Sequence, residues 1–339
     1  MKATIHDVAK RAGVSVATVS RVVNGNYPVR ASTREKVEEA IEALEYVPNM
    51  QARELNMRHS SSIGVVMPGF GDPHYAEAMD AIEDCLREKS YTLQIACTKN
   101  NPDQEMACIR DLIGRNVSGI IDVNPGASNF GRNAYDAAIK RVPMVFVNSR
   151  IELPHTSCIA SDDQKGTMDA LSHLLWLGHQ RILFVRGNMQ SEDLIKEDAY
   201  RALMEEAGLL NEKYILAVDG GASAETAANT AKSLIERLRG SDVSAIFCCN
   251  DYIGLGALNA CRRMGKRVPR DISIIGFGNL SIYQYVQPYL TTVDRNIHGI
   301  GVTAAKLLLE LLEGESEGRK VVVGTTLVER ESTGPCKEM

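Results

Sequence analysis

The chain has 339 residues, 44% of them hydrophobic and 24% charged, and a formal net charge of −5. That length holds two or three domains with cores of their own, and the composition excludes collagen-like and disordered classes. No run of about 18 apolar residues is present, so no membrane span is expected.

The first element is TIHDVAKRAGVSVATVSRVVN, residues 4–24. Thr4 and Asp7 have capping-box spacing, and Ile5, Val8, Ala9 and Ala12 share one helical face. Gly13 follows, and glycine readily takes the left-handed conformation of a sharp turn. Ser15 then caps a second helix, with Val19, Val22 and Val23 turned back toward the first. Ser15, Val16, Ala17, Ser20 and Arg21 face outward. In a helix-turn-helix the second helix enters the DNA major groove. Arg21 suits guanine O6 and N7, and Val16 and Ala17 suit thymine methyls. Thr4, Thr18, Ser20 and Asn24 are short donors suited to phosphate. Taken alone, the stretch also fits an ordinary helical hairpin with a solvated face. A third helix favours DNA: Ser32–Glu35 reads as another capping box, Val37, Ala40, Ile41 and Leu44 form a buried stripe, and Pro48 ends it. Residues 1–34 hold six Lys/Arg against one acid, Asp7, for a local charge of +5; the other residues carry −10. A basic reader on an acidic body would bind DNA in a salt-dependent way.

Next comes NMQARELNMRHSSS, residues 49–62. Asn49 can cap a short helix through Met57, which alone would be marginal, and three serines make a polar joint. From Ile63 the chain alternates apolar strands with helices. Strands are predicted at 63–67, 92–97, 118–123 and 143–147, and again at 181–186, 214–218, 244–249 and 272–277. Helices are predicted at 75–89, 103–115 and 224–239. This pattern implies parallel sheets covered on both faces, here in two lobes. The crevice at the strand C-terminal ends is the expected ligand site. The loops concerned are 70–75, 148–150, 190–196, 250–251 and 276–279, with Asp162.

IHDVAKRAGVSVATVSRVVNG followed by STREKVEEAIEALEYVPN resembles the lactose-repressor/galactose-repressor (LacI/GalR) family of bacterial transcription regulators. LLWLGHQRILFVRGN, FCCND and VPRDISIIGF extend the resemblance to its periplasmic-binding-protein-like body. The resemblance implies a helix-turn-helix headpiece at 1–48, a hinge helix and linker at 49–62, and a two-lobed effector-binding and dimerisation domain at 63–339. It implies a homodimer on a pseudo-palindromic operator, with Leu55 wedged between base pairs; packing of Leu55 on the body is the other reading. The chain would cross between lobes near Asp162, near Thr291–Asn296 and near Gly324. For a sugar-like small-molecule effector, Tyr75 fits the aromatic position with His74 beside it, and Asn250–Asp251 fits the family's Asn-Asp. In the cleft three positions depart from the family, and in the hinge Glu54 stands where a small residue is usual. Lys196 stands where arginine is usual, replacing a planar fork by a point charge. Gly278 and Asn148 each stand where an aspartate is common. Either a different ligand or weak binding follows. Asp162 reads equally as a ligand contact or a structural crossover residue.

No catalytic constellation appears. A G-x-S-x-G elbow is missing, and VMPGFGD matches neither dinucleotide nor P-loop spacing. No cofactor is expected. Cys85, Cys97, Cys108, Cys158, Cys248, Cys249, Cys261 and Cys336 include no C-x-x-C pair, so buried thiols are expected rather than zinc or disulfides. His173 and His179 lack a ligand motif around them, and no metal is assigned. The expected protein is a cytoplasmic DNA-binding repressor controlled by a small molecule. The alternative, a solute receptor without DNA function, is opposed by the headpiece and by an N-terminus, MKATIHDVAK, that lacks a secretory signal's apolar core.

Overall fold

The computed structural model describes residues 3–24, 28–47, 60–151, 153–187, 191–220, 223–281, 285–314 and 317–337. The chain divides into two units, Met1–Ser61 and Ser62–Met339.

In the first unit, α1 spans Ile5–Ala12, α2 Val16–Asn24 and α3 Ala31–Ala43. The expected capping box starts α1. Asp7 N donates to Thr4 Oγ1 at 3.4 Å, and Thr4 N to Asp7 Oδ2 at 2.9 Å. Such a cap contributes about 1 kcal/mol. Gly13 ends α1 at φ +67°, the left-handed turn predicted for it. Ser15 Oγ accepts from Thr18 N at 3.1 Å and starts α2. Val8, Ala9, Val19, Val37 and Ala40 form the core, with Ile5, Ala12, Val22, Val23, Ile41 and Leu44 packed around it. The third start differs from expectation. Arg30 precedes α3 and no side chain caps it, so Ser32–Glu35 lies inside the helix rather than at its cap. The helix ends at Ala43, and Pro48 lies outside the described residues, as does the predicted hinge helix with Leu55.

In the second unit, the described strands form two six-stranded sheets. The chain first builds β1 (Ser62–Met67), α4 (Pro73–Arg87), β2 (Thr92–Cys97), α5 (Pro102–Gly114), β3 (Gly119–Val123), the short α6 (Ala127–Gly131) and α7 (Asp136–Ile139), β4 (Met144–Val147) and β5 (Thr156–Ser161). It then builds α8 (Asp163–Trp176), β6 (Ile182–Arg186), α9 (Ser191–Glu206), β7 (Ile215–Ala217), α10 (Ala224–Arg237), β8 (Ala245–Cys248), α11 (Asp251–Arg263), β9 (Ser273–Phe277) and β10 (Thr291–Asp294). Last come α12 (Ile297–Glu313), β11 (Lys320–Val323) and β12 (Thr326–Val328).

The first sheet runs β11-β5-β4-β3-β1-β2, all parallel. The second runs β12-β10-β9-β8-β6-β7, parallel except for the β10–β12 edge pair. The chain therefore changes lobes after β5, after β10 and between β11 and β12, at the three predicted places. The central strands β1, β3, β4, β8 and β9 are buried throughout, which is why they read as continuous apolar runs. Four strands escaped prediction: β5, β10, β11 and β12. In β5 (TSCIAS) and β10 (TTVD) the polar residues break the apolar signal, yet Ser157, Ser161, Thr291 and Thr292 are buried. Their hydroxyls are hydrogen-bonded, as burial requires. α12 returns to the first lobe and packs Ile300, Ala304 and Leu308 into its core. At Gly301 a Cβ would stand 2.6 Å from Ala78 O, so the approach of α12 to α4 needs glycine.

Candidate functional site

Two surfaces carry the predicted residues. On α2, Ser15, Ala17 and Arg21 are exposed, with Ala17 and Arg21 one turn apart on one face. Val16, expected to face outward, is half-buried and packs on the headpiece core, so it offers only part of its surface. Ser20 is half-buried. Thr18 is too, and its hydroxyl bonds that of Ser15 at 2.9 Å. Thr4 donates its hydroxyl to Asp7 Oδ2 at 2.7 Å, so a phosphate would have to compete with the cap. These hydrogen bonds hold the Asp7 carboxyl below the usual range. The Asn24 side chain and Leu55 lie outside the described residues.

The second surface is a cleft between the strand C-terminal ends of the two lobes, enclosing about 320 Å³. From the first lobe it is lined by the turn after β1, including Asp72, His74 and Tyr75, and by Asn100, Asn124 and Asn148. These three asparagines sit at φ +58°, +60° and +59°, a conformation asparagine tolerates better than other side chains. Asn124 and Asn148 directly follow β3 and β4, and Asn100 lies in the turn after β2. The second lobe supplies Glu192, Asp193, Lys196, Cys249, Asn250, Asp251 and Phe277, and Arg295 comes from the crossover after β10.

Arg295, which sequence reasoning did not single out, occupies the middle. Its Nε donates to Ser161 Oγ at 3.0 Å and lies 3.4 Å from Asp163 Oδ1. Nη1 is 3.2 Å from Glu192 Oε2, and Nη2 is 3.4 Å from Asn148 Oδ1. One guanidinium thus joins groups of both lobes. Burial opposes its charge, but Asp163 and Glu192 more than offset this and push its pKa above the ordinary arginine value. Burial likewise raises the Asp163 carboxyl, while Arg295 and then Lys196 bring it below its usual value. The signal available in the sequence was position: an arginine inside the expected crossover at Thr291–Asn296.

Lys196 is buried among protein groups. Its ammonium donates to Cys249 O at 3.1 Å, sits 4.2 Å from the Phe277 ring centre and lies 3.9 Å from Asp163 Oδ2. Asp162 does not line the cavity. Its carboxylate accepts from Lys165 N at 3.1 Å and caps α8, while its neighbour Asp163 enters the charged cluster. Asn250 caps α11 through Ile253 N at 2.9 Å. Asp251 is fully engaged by Thr292 Oγ1 at 2.6 Å and Leu280 N at 2.7 Å; burial leaves its pKa raised.

Gly278 is absent from the cavity lining but closes the cleft in another way. Its carbonyl accepts from His74 Nε2 at 2.8 Å, across the lobes, while His74 Nδ1 faces Asp72 Oδ1 at 3.0 Å. A Cβ at Gly278 would lie 2.7 Å from His74 Cε1, at φ +133°. Histidine at 74 and glycine at 278 therefore fit one another, and an aspartate at 278 would collide. Burial lowers the His74 pKa, but the Asp72 hydrogen bond and charge outweigh it and leave it raised. Burial and the charges of Glu192 and Asp72 push the Tyr75 phenol upward, so its hydroxyl stays protonated.

Charge placement limits what the cleft accepts. A helix N-terminus attracts anions through its free N–H groups and dipole. Here Asp72 caps α4, Asp162 caps α8, Glu192 and Asp193 occupy the first turn of α9, and Asp251 that of α11. The chain's own carboxylates fill the anion positions. Of these, Glu192 and Asp193 line the cavity beside groups of the chain, and carboxylates only accept hydrogen bonds, so a guest that meets them donates.

A three-helix reader and a two-lobed body with a closed polar cleft define a DNA-binding regulator built on a solute-binding scaffold. Residues 4–49 match the family described as bacterial regulatory proteins, lacI family, and residues 171–333 match the periplasmic binding protein-like domain. Catabolite control protein A of Priestia megaterium is 32% identical over 325 residues, 95% of this chain and 96% of that protein. The HTH-type transcriptional repressor PurR of Aliivibrio salmonicida is 32% identical over 324 residues, 94% and 95% of the two chains. Among solved structures, the lac repressor dimer bound to operator and the anti-inducer ONPF superposes with a TM-score of 0.87 at 28% identity, covering 98% of this chain and 100% of that one. The chain belongs to the lacI family of bacterial transcriptional regulators and is not an enzyme. Among the described residues no helix is long and apolar enough to cross a membrane.

Proposed function

We propose that this protein is a cytoplasmic repressor that binds a pseudo-palindromic operator as a homodimer and responds to an uncharged, polyhydroxylated effector in the interlobe cleft. In this reading residues 1–48 are the headpiece, 49–62 the hinge and 63–339 the effector-binding and dimerisation body. Arg21 and Ala17 read base edges, Val16 contributes its exposed part, and Ser15, Thr18, Ser20, Thr4 and Asn24 serve phosphate and orientation. Leu55 unstacks the central step. The effector is held by Tyr75, Asn148, Asn250 and the Glu192–Arg295 pair, with His74, Lys196 and Asp251 fixing the walls.

The observation that carries the effector class is that internal carboxylates occupy the N-termini of α4, α8, α9 and α11 beside the cleft, while α12, whose first turn also lines it, is capped by the neutral Asn296. Hydroxyl groups satisfy these acceptors, whereas a phosphate or carboxylate would meet like charge. Two family neighbours are solved with sugars of this kind, a CelR–cellobiose complex and a regulator from Enterococcus faecium with bound ribose. A role in carbohydrate metabolism fits that chemistry. Effector control follows if the ligand binds one lobe arrangement better than the other, since the coupling equals that difference in affinity.

Selection from a random duplex library with the full-length protein tests the proposal, followed by a salt titration of the winning site. A two-fold symmetric motif with a steep salt slope is expected. Adding neutral sugars should shift operator affinity, and their phosphates should not. An asymmetric motif bound by one protomer would refute the dimeric reading, and a response confined to phosphorylated sugars would refute the effector class.

A further inference from the structure

Behind the cleft wall of the first lobe, two buried acids face one tyrosine. Asp122 on β3 and Glu105 on α5 are 1% and 3% exposed. The Tyr135 hydroxyl bonds Glu105 Oε1 and lies 3.3 Å from Asp122 Oδ2. Glu105 also accepts from Gly126 N and Asn129 Nδ2, each at 2.9 Å. Arg132 bonds Asn129 Oδ1 and Asp103 instead, and among the described residues no ion pair reaches Asp122 or Glu105. The sheet neighbours of Asp122 are Val66 on β1 and Phe146 on β4. From α5 it also faces Cys108, a thiol whose pKa burial raises.

The hydrogens available decide how this cluster is bonded. Tyr135 has one hydroxyl hydrogen and two carboxyl neighbours, so it can donate to only one of them. Burial above all keeps the phenol protonated. With that hydrogen on Glu105, an ionised Asp122 would meet the Tyr135 oxygen with no hydrogen between them and a second carboxylate just beyond. A protonated Asp122 supplies the missing hydrogen. Burial and then the Glu105 charge raise the Asp122 carboxyl well above its usual value, and the Tyr135 hydrogen bond opposes this only in part.

We propose that Asp122, Tyr135 and Glu105 form a proton latch behind the cleft: Asp122 keeps its proton and donates it to the Tyr135 oxygen, Tyr135 donates to Glu105, and Glu105 holds the segment after β3. That segment begins with Asn124, which lines the main cavity, and is tied to Glu105 at Gly126 and Asn129. Loss of the Asp122 proton puts two like charges across one hydroxyl and loosens this wall, so the first lobe weakens as pH rises.

Asp122→Asn tests the latch, because its amide N–H replaces the acid O–H and cannot titrate. The folded parent keeps a proton that the unfolded chain gives up above about pH 3.9, so this stability is complete below that value and is lost as pH rises toward the folded one. In denaturant melts of the full-length protein between about pH 5 and about pH 7, the ratio of the parent's folding constant to the variant's should fall about ten-fold per pH unit. Infrared difference spectra at about pH 7 should show the carbonyl stretch of a protonated acid in the parent and not in Asp122→Asn. Tyr135→Phe removes the oxygen that receives the proton and should shift that band, which keeps the test open if Asp122→Asn does not fold. Above the pH at which the band disappears, amides of residues 124–129 should exchange hydrogen faster in the parent than in Asp122→Asn. A ratio independent of pH, or no acid band that answers to either variant, would refute the latch. Equal exchange in parent and variant would refute its hold on the cleft wall.

Discussion

Replacing Arg295 by methionine keeps much of its volume and removes the charge that joins the lobes. Asp163 is 3% exposed and would lose its nearest cation, while Glu192 would lose its partner at 3.2 Å. Removing one member of a buried pair typically costs ~3–5 kcal/mol, because the other charge stays desolvated. Two features place this site near the lower end. Lys196 remains 3.9 Å from Asp163, and the Glu192 side chain is 22% exposed. A loss of ~3 kcal/mol would lower the melting temperature of the body by about 6–12 °C for a unit of this size. Calorimetric melting of the full-length variant against its parent measures it. The pH dependence checks the cause. In the parent, Asp163 has a depressed pKa, so its contribution is present above the unfolded value of about 3.9 and is lost as pH falls through the folded value. Without Arg295 the Asp163 carboxyl titrates at higher pH, and the variant's deficit should shrink between about pH 7.5 and about pH 5. A loss under about 1 kcal/mol, or an equal deficit at both pH values, would show that Arg295 does not hold this cluster.

Arg21→Ala should cost ~1–3 kcal/mol in operator affinity and relax base choice at one position per half-site, read by competition binding against single-base operator variants; equal discrimination by parent and variant would remove the base-reading role. Gly278→Ala brings a methyl group 2.7 Å from the His74 ring and should destabilise the body by ~1–3 kcal/mol in denaturant melts. The double variant with His74→Ala should recover part of that loss, and strict additivity would argue against the fit between the two residues. For His74 itself the folded pKa is raised, so its stabilising contribution is complete below the unfolded value of about 6.5 and fades as pH rises through the folded one. His74→Gln should therefore flatten the parent's decline in melting temperature across about pH 6 to pH 8, and an unchanged slope would assign that decline elsewhere.

The headpiece was legible in the sequence because its determinants are local. Thr4 reaches Asp7 and Ser15 reaches Thr18 within a single turn, and Gly13 needs only its own backbone freedom. The same holds for β1, β3, β4, β8 and β9, whose burial on both faces leaves an unbroken apolar run. β5 and β10 were not legible, because their buried hydroxyls are satisfied by partners far away in the chain; Ser161, for example, meets Arg295 from 134 residues away. The cleft was placed correctly in outline, but its chemistry was not. Asp162 and Asp163 are adjacent carboxylates that no local pattern distinguishes. The first residue of α8 decides that one caps the helix and the other meets Arg295 and Lys196. Sequence alone determined the headpiece helices and the fully buried strands, since these follow from periodicity and short-range hydrogen bonds, and the resemblance to the family supplied the crossings. Only the tertiary structure decided which charges converge, because a buried ion pair exists only once both lobes have folded around it.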